Sequence, residues 1–414
     1  MTDPLVLLNA PTAAERLENL RALLPGLALP PVNTDVNNHI HTTYSFSPYS
    51  PTAAAYRARM SGLCTAGIMD HDSLAGAREF LAACELLGIG GTCGVECRVT
   101  FEQTPLAGRR INNPDQPGIA YMLLHAMPHD QIEEADAFFA PLRERRNDRN
   151  RRMIARLNEL LTPVGISLDF DRDVWPLSEA ANGGSVTERH IASALAHALE
   201  RTAGRGAGLI AFLERLGKPV GASHAKLLTQ AENLFFHYDL IGWIKAELIP
   251  AFYIPATDEC ADVRDVLALG ERLGAISAYA YLGDVGESPT GDKRAQQFED
   301  SYLDELFDTL DGLGFRAITY MPTRNTPEQL TRLRSLIHAR GYFEISGEDI
   351  NQPRQAFVCL AMRGAGFDAL RESAWAMIGS ERAADSLFSA AAAQKCPDQA
   401  ARVATYAQMG RESL

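Results

Sequence analysis

Two histidines one residue apart, His39 and His41 in the run Val36-Asn37-Asn38-His39-Ile40-His41-Thr42, carry the clearest chemistry in this sequence. Side chains at i and i+2 share a face of an extended strand, so the pair can present two neutral nitrogens to one divalent ion. More ligand-type residues follow in chain order: His71 in Asp70-His71-Asp72, Glu96 in Gly94-Val95-Glu96, His125, and Asp349 in Ser346-Gly347-Glu348-Asp349. Imidazole mixed with carboxylate suits zinc, manganese or iron better than calcium or magnesium alone. Asp70, beside His71, is a candidate proton acceptor or a support for the ligands.

Arg324, in Met321-Pro322-Thr323-Arg324-Asn325, offers a guanidinium fork for a phosphate group, and His190 is a second candidate phosphate donor. Lys293 and Arg294, after the glycine-rich stretch 283–291, are further candidates. The charged run from Arg143 to Arg152 reads as a solvated helix face. Cys93 and Cys97 bracket the Glu96 strand and read as buried, inert thiols.

The elements that must position these residues alternate. Val36 to His41 reads as a strand, and Ser50-Pro51 caps a helix running to about Gly62. Thr65 to Met69 is a second strand, followed by a helix from Ser73 to Gly88; a third strand ends at Glu96 and a fourth at His125. From about Asp130 to Pro255 the pattern becomes mainly helical, and strand-helix alternation then resumes through strands 275–281, 315–320 and 342–346. Thr326-Pro327-Glu328-Gln329 makes a capping box for the last helix of that series.

Seven strands, each followed by a helix, predict a mostly parallel α/β sheet. Closure into a barrel is favoured because the polar residues fall at strand C-terminal ends. No glycine-rich phosphate turn follows the first strand, as an open doubly wound sheet would require. The expected organisation is an N-terminal helical arm (1–30), a first barrel part (31–129), a helical insertion (130–255), a second barrel part (256–360) and a peripheral helical tail (361–414).

The 414 residues are 46% hydrophobic and carry a net charge of −13, which disfavours nucleic acid and anionic lipid as partners. The seven cysteines, without a Cys-x-x-Cys pair, fit a reducing cytosol. With no signal-like N-terminus and no membrane-length apolar run, the expectation is a cytoplasmic protein.

The motifs His39-Ile40-His41-Thr42, Met69-Asp70-His71-Asp72, Gly94-Val95-Glu96 and His125, with Gly347-Glu348-Asp349, resemble the polymerase-and-histidinol-phosphatase (PHP) domain family. Thr187-Glu188-Arg189-His190-Ile191-Ala192 resembles a segment in the insertion of its nucleotide phosphatases, which makes Arg189 and His190 candidate substrate contacts.

The resemblance implies a distorted seven-stranded (β/α) barrel with a mainly helical insertion. It also implies two or three divalent ions (manganese, zinc or iron) and hydrolysis of a small phosphorylated metabolite, such as a nucleotide, by metal-activated water. His39, His41, Glu96 and Asp349 would hold the first ion, Glu96 and His125 a second, and His71 a third. Asp70 and His190 would be the catalytic side chains, with Arg324, Arg189 and His190 on the phosphate.

The chain departs from the family pattern in three places. Tyr279 in Ser277-Ala278-Tyr279-Ala280-Tyr281 and Asn351 stand where the family has histidines, and the loop Ser45-Phe46-Ser47-Pro48-Tyr49 lacks the usual Asp or His. Two rivals follow: a nuclease of the same family, and a metal- or ligand-binding domain that has lost catalysis.

Overall fold

The computed structural model describes residues 3–113, 115–230, 232–285 and 297–414; Lys293 and Arg294 lie outside the described residues. Eight strands form one sheet: β1 (Val36–Ile40), β2 (Thr65–His71), β3 (Gly90–Thr100), β4 (Ile119–His125), β5 (Ala261–Asp262), β6 (Ile276–Ala280), β7 (Ala317–Tyr320) and β8 (Phe343–Ser346). Seven follow the path β1-β2-β3-β4-β6-β7-β8, and the short β5 lies off it against β3. The path nearly closes. The Asn38 side-chain amide donates to the Ser346 carbonyl at 2.8 Å, and Ile350 exchanges backbone hydrogen bonds with His39 and His41. The fold is a mixed α/β barrel with a helical insertion.

One strand breaks the expected alternation. β4 runs antiparallel to both β3 and β6, and no helix separates it from β3. Its C-terminal end therefore points toward the opposite rim from the ends of β1 and β2. Leu123 pairs with Glu96, so His125 lies two residues deeper in the barrel than Glu96.

Alternation along the strands sorts side chains into two layers. Met69, Leu123, Ala278, Ala317, Phe343 and Ile345 share the inner face with His71 and Glu96. Val95, Met122 and Ile318 face outward into the helix layer, against residues such as Phe80, Val266 and Phe307. Helix Val263–Leu273 shows how that layer is built: Val263, Val266, Leu267, Gly270 and Leu273 fall on one buried stripe, and Gly274 ends the helix in a left-handed turn.

The C-terminal helices are not peripheral. Ala376 and Met377 of helix Asp368–Arg382, with Tyr406 and Ala407 of helix Gln399–Glu412, join the inner apolar cluster of the barrel. Small strand residues such as Ala278 and Ala317 leave room for them.

The insertion has its own apolar core, including Leu157, Leu195, Trp243 and Phe252. Its 30-residue helix Ile132–Leu161 carries the arginine run, which is solvated on one side only. Arg143, Arg146 and Arg149, spaced three apart on one side of the helix, are buried. Arg146 pairs with Asp72 at 2.7 Å, Arg149 with Glu259 at 2.5 Å and with Glu188, and Arg98 of β3 with Glu259 at 2.9 Å. Three buried cations thus face three carboxylates, which offsets the desolvation of each. The network fixes the insertion against β3 and the turn after β2. Among the described residues, no helix is long and apolar enough to cross a membrane.

Candidate metal centre

The register of β1 against β2 shifts by one between Asn37 and Ile40, the signature of a bulge. It falls on the His-x-His run and brings both rings together: the Nε2 atoms of His39 and His41 stand 3.2 Å apart. Two nitrogen lone pairs cannot face each other at that distance unless a proton or a cation lies between them. Glu96 Oε2 is 3.6 Å from His39 Nε2, 3.7 Å from His41 Nε2 and 3.0 Å from His71 Nδ1. Asp349 Oδ1 lies 3.2 Å from the same nitrogen, His41 Nε2. One carboxylate oxygen therefore serves three imidazoles, and a second carboxylate closes the group.

Electrostatics match a cation-binding cluster. Burial pushes the Glu96 carboxyl upward, but His71 and His39 outweigh it and hold the pKa well below the ordinary carboxylate range. Asp349 is likewise held well below its usual value, against the effect of burial, by His41, His39 and Arg189. His125 is driven down to about 3, first by burial and then by repulsion from His39, so it is neutral at physiological pH. Its Nε2 is buried and has no hydrogen-bond partner. An orphaned imidazole nitrogen beside a cluster of imidazoles and carboxylates is what a divalent cation would complete. The donor set fits zinc, manganese or iron.

Two glycines make the close approaches. A Cβ at Gly347 would lie 2.6 Å from the Cβ of His39, so no larger residue lets the end of β8 pass beside β1. A Cβ at Gly94 would lie 2.3 Å from the Leu124 carbonyl, next to His125.

A second layer of polar groups steadies the ligands. Asp70 is buried and accepts from Thr42 N, Thr42 Oγ1 and Ser45 Oγ at 2.7, 2.6 and 2.6 Å. Ser45 Oγ in turn lies 3.2 Å from His41 Nδ1. These contacts link Asp70 to His41 through Ser45, with its oxygens held by the loop after β1. Asn351 donates to Asp349 Oδ1. The loop that lacks Asp and His contributes Ser45, a link that the sequence signals only through its nearness to the His-x-His run.

The other candidates separate. His190 caps its own helix: Nδ1 accepts from Thr187 N at 3.0 Å, and burial lowers its pKa to about 3. Its ring meets Phe46 edge-on at 5.0 Å. This makes it a buried wall residue that is uncharged at neutral pH. Arg189, one residue earlier, is half-buried and acts on Asp349. Arg324 Nε donates to the Leu282 carbonyl, bracing the loop after β6.

Tyr279 does not occupy a ligand position, since it turns outward into the helix layer against Phe315. Its neighbours Ala278 and Ala280 pack with the inner cluster, so β6 offers the site no ligand atom.

No family model matches the chain, and no curated protein does. Solved structures do match. A protein from Bifidobacterium adolescentis, described as a candidate metal-dependent phosphoesterase, aligns over 81% of this chain and 96% of its own with 21% identity and a TM-score of 0.51. An amidohydrolase from Chromobacterium violaceum, with bound sulfate and no metal, aligns over 78% and 90% with 16% identity and a TM-score of 0.52. At such identities the likeness establishes the shared fold.

Proposed function

We propose that this protein is a hydrolase that depends on divalent metal and cleaves the phosphate ester of a small metabolite such as a nucleotide. The carrying observation is the convergence of His39, His41, Glu96 and Asp349, with His71 sharing the Glu96 oxygen that faces both His39 and His41. The solved structures that share the fold support a hydrolase, one described as a phosphoesterase and the other as an amidohydrolase that holds sulfate, a tetrahedral dianion. PHP membership, which the sequence motifs suggest, is part of the same proposal.

His39, His41, Glu96 and Asp349 would hold one ion, and His125, with Glu96 between, a second. A bound divalent ion lowers the pKa of water and neutralises phosphoryl charge. The chain's own residues do the rest. Asp70, through Ser45, sets the orientation of the His41 ring. Arg189, beside Asp349, supplies positive charge to an incoming phosphate. Phe46, packed against His190 and Tyr238, walls the insertion side and excludes water.

A second reading, a one-ion binding domain without turnover, has one observation behind it: β6 turns alanines toward the barrel interior. Turnover of a panel of phosphomonoesters, including nucleotides, with and without manganese separates the two. Manganese-dependent release of phosphate is the expected result. Metal shown to be bound together with no hydrolysis of any ester would favour the binding domain.

A further inference from the structure

Away from the barrel mouth, three residues from distant parts of the chain converge. Cys93 lies on β3, His129 follows β4, and Glu381 ends the long C-terminal helix; one ligand atom from each lies within 4.8 Å of the others. Glu381 Oε2 stands 3.2 Å from His129 Nε2. Zinc bonds of about 2.0–2.3 Å at tetrahedral angles hold ligand atoms roughly 3.3–3.8 Å apart, close to this separation.

The support behind these ligands is already in place. Glu381 Oε1 accepts from the Thr92 hydroxyl at 2.5 Å and the Cys93 amide at 2.8 Å, which leaves Oε2 directed at the imidazole. Arg78 donates to the His129 carbonyl at 3.0 Å and is itself paired with Glu133, fixing that loop. Cys93 and Glu381 are buried, whereas the His129 side chain is 30% exposed and gives an ion a route from solvent. A third trio, His197, Glu200 and His237, is engaged locally with Ser193 and Arg205 and draws on the insertion alone.

We infer that Cys93, His129 and Glu381 form a zinc site distinct from the barrel-mouth centre, fastening the C-terminal helix to strand β3. Thiolate, imidazole and carboxylate together select a borderline-soft ion such as zinc over manganese or magnesium. Zinc would bond to Sγ, Nε2 and Oε2 with water as fourth ligand; the thiol proton leaves to solvent and the neutral imidazole carries its proton on Nδ1, with no change of oxidation state. The site ties together a strand, the loop after β4 and a helix more than 250 residues away, since Glu381 and His129 are 252 apart in sequence.

Cobalt(II) is the test, because thiolate ligation gives an intense near-ultraviolet charge-transfer band that nitrogen and oxygen ligands do not. The full-length protein, stripped of metal and titrated with cobalt, should show this band. Cys93→Ser should abolish it, and His129→Ala, at a partly exposed position that tolerates truncation, should weaken cobalt binding at least tenfold while circular dichroism is unchanged. His39→Ala should leave the band intact, which separates this site from the barrel-mouth centre. Absence of the band in the wild-type protein at saturating cobalt, or its persistence in Cys93→Ser, overturns the assignment.

Discussion

Asn351 donates its side-chain amide to Asp349 Oδ1 over 2.6 Å, and the same oxygen lies 3.2 Å from His41 Nε2. The residue that replaces an expected imidazole thus orients a carboxylate ligand. Asn351→Ala should weaken divalent-ion binding about tenfold, as loss of an outer-shell partner commonly does. Calorimetric titration with manganese or zinc measures it; unchanged affinity would mean that Asp349 is held by other contacts.

Asp70 acts on the centre through Ser45. If it positions His41, Ser45→Ala and Asp70→Asn should lower hydrolysis to a similar degree, about 10–100-fold, with the double variant no worse than the poorer single one. If Asp70 instead takes a proton from the reaction, Ser45→Ala should retain most of the activity and Asp70→Asn should not. Steady-state rates on one phosphomonoester decide between them.

Most of the candidate cluster could be read from the sequence because its residues sit in short runs on or just after strands, although β3 continues past Glu96 to Thr100 where the sequence suggests an end. His39, His41, His71, Glu96 and Asp349 need only strand geometry and the order of the strands to meet. Hidden from that view was everything set by strand direction and long-range pairing. His125 enters from deeper in the barrel because β4 is antiparallel, which alternation of elements cannot reveal. Tyr279 faces outward, a matter of pleat phase. The arginine run carries the charge pattern of a solvated face, yet its partners Asp72, Glu188 and Glu259 come from three other segments.

Glu299 gives a pH prediction away from the metal ligands. It is fully buried, and burial raises its pKa from 4.5 to about 7 even though the Leu282 and Gly283 amides favour the ionised form. An acid whose folded pKa is raised stabilises the fold fully below its unfolded pKa, and that contribution is lost as pH rises through the folded one. Wild-type stability should therefore decline between about pH 4.5 and 7 relative to Glu299→Gln, by on the order of 3 kcal/mol. Urea unfolding of both proteins across this window measures the difference; parallel profiles would show that Glu299 is ionised without cost in the native state.

The centre itself is tested most directly by metal content and turnover measured together on wild-type protein and His39→Ala. His39 joins the His41 and Glu96 ligand atoms within one small cluster, so its loss should remove at least one ion per chain and abolish manganese-dependent phosphate release while the fold is retained. Unchanged metal stoichiometry and unchanged turnover in His39→Ala would contradict the placement of the centre at the His39–His41 pair.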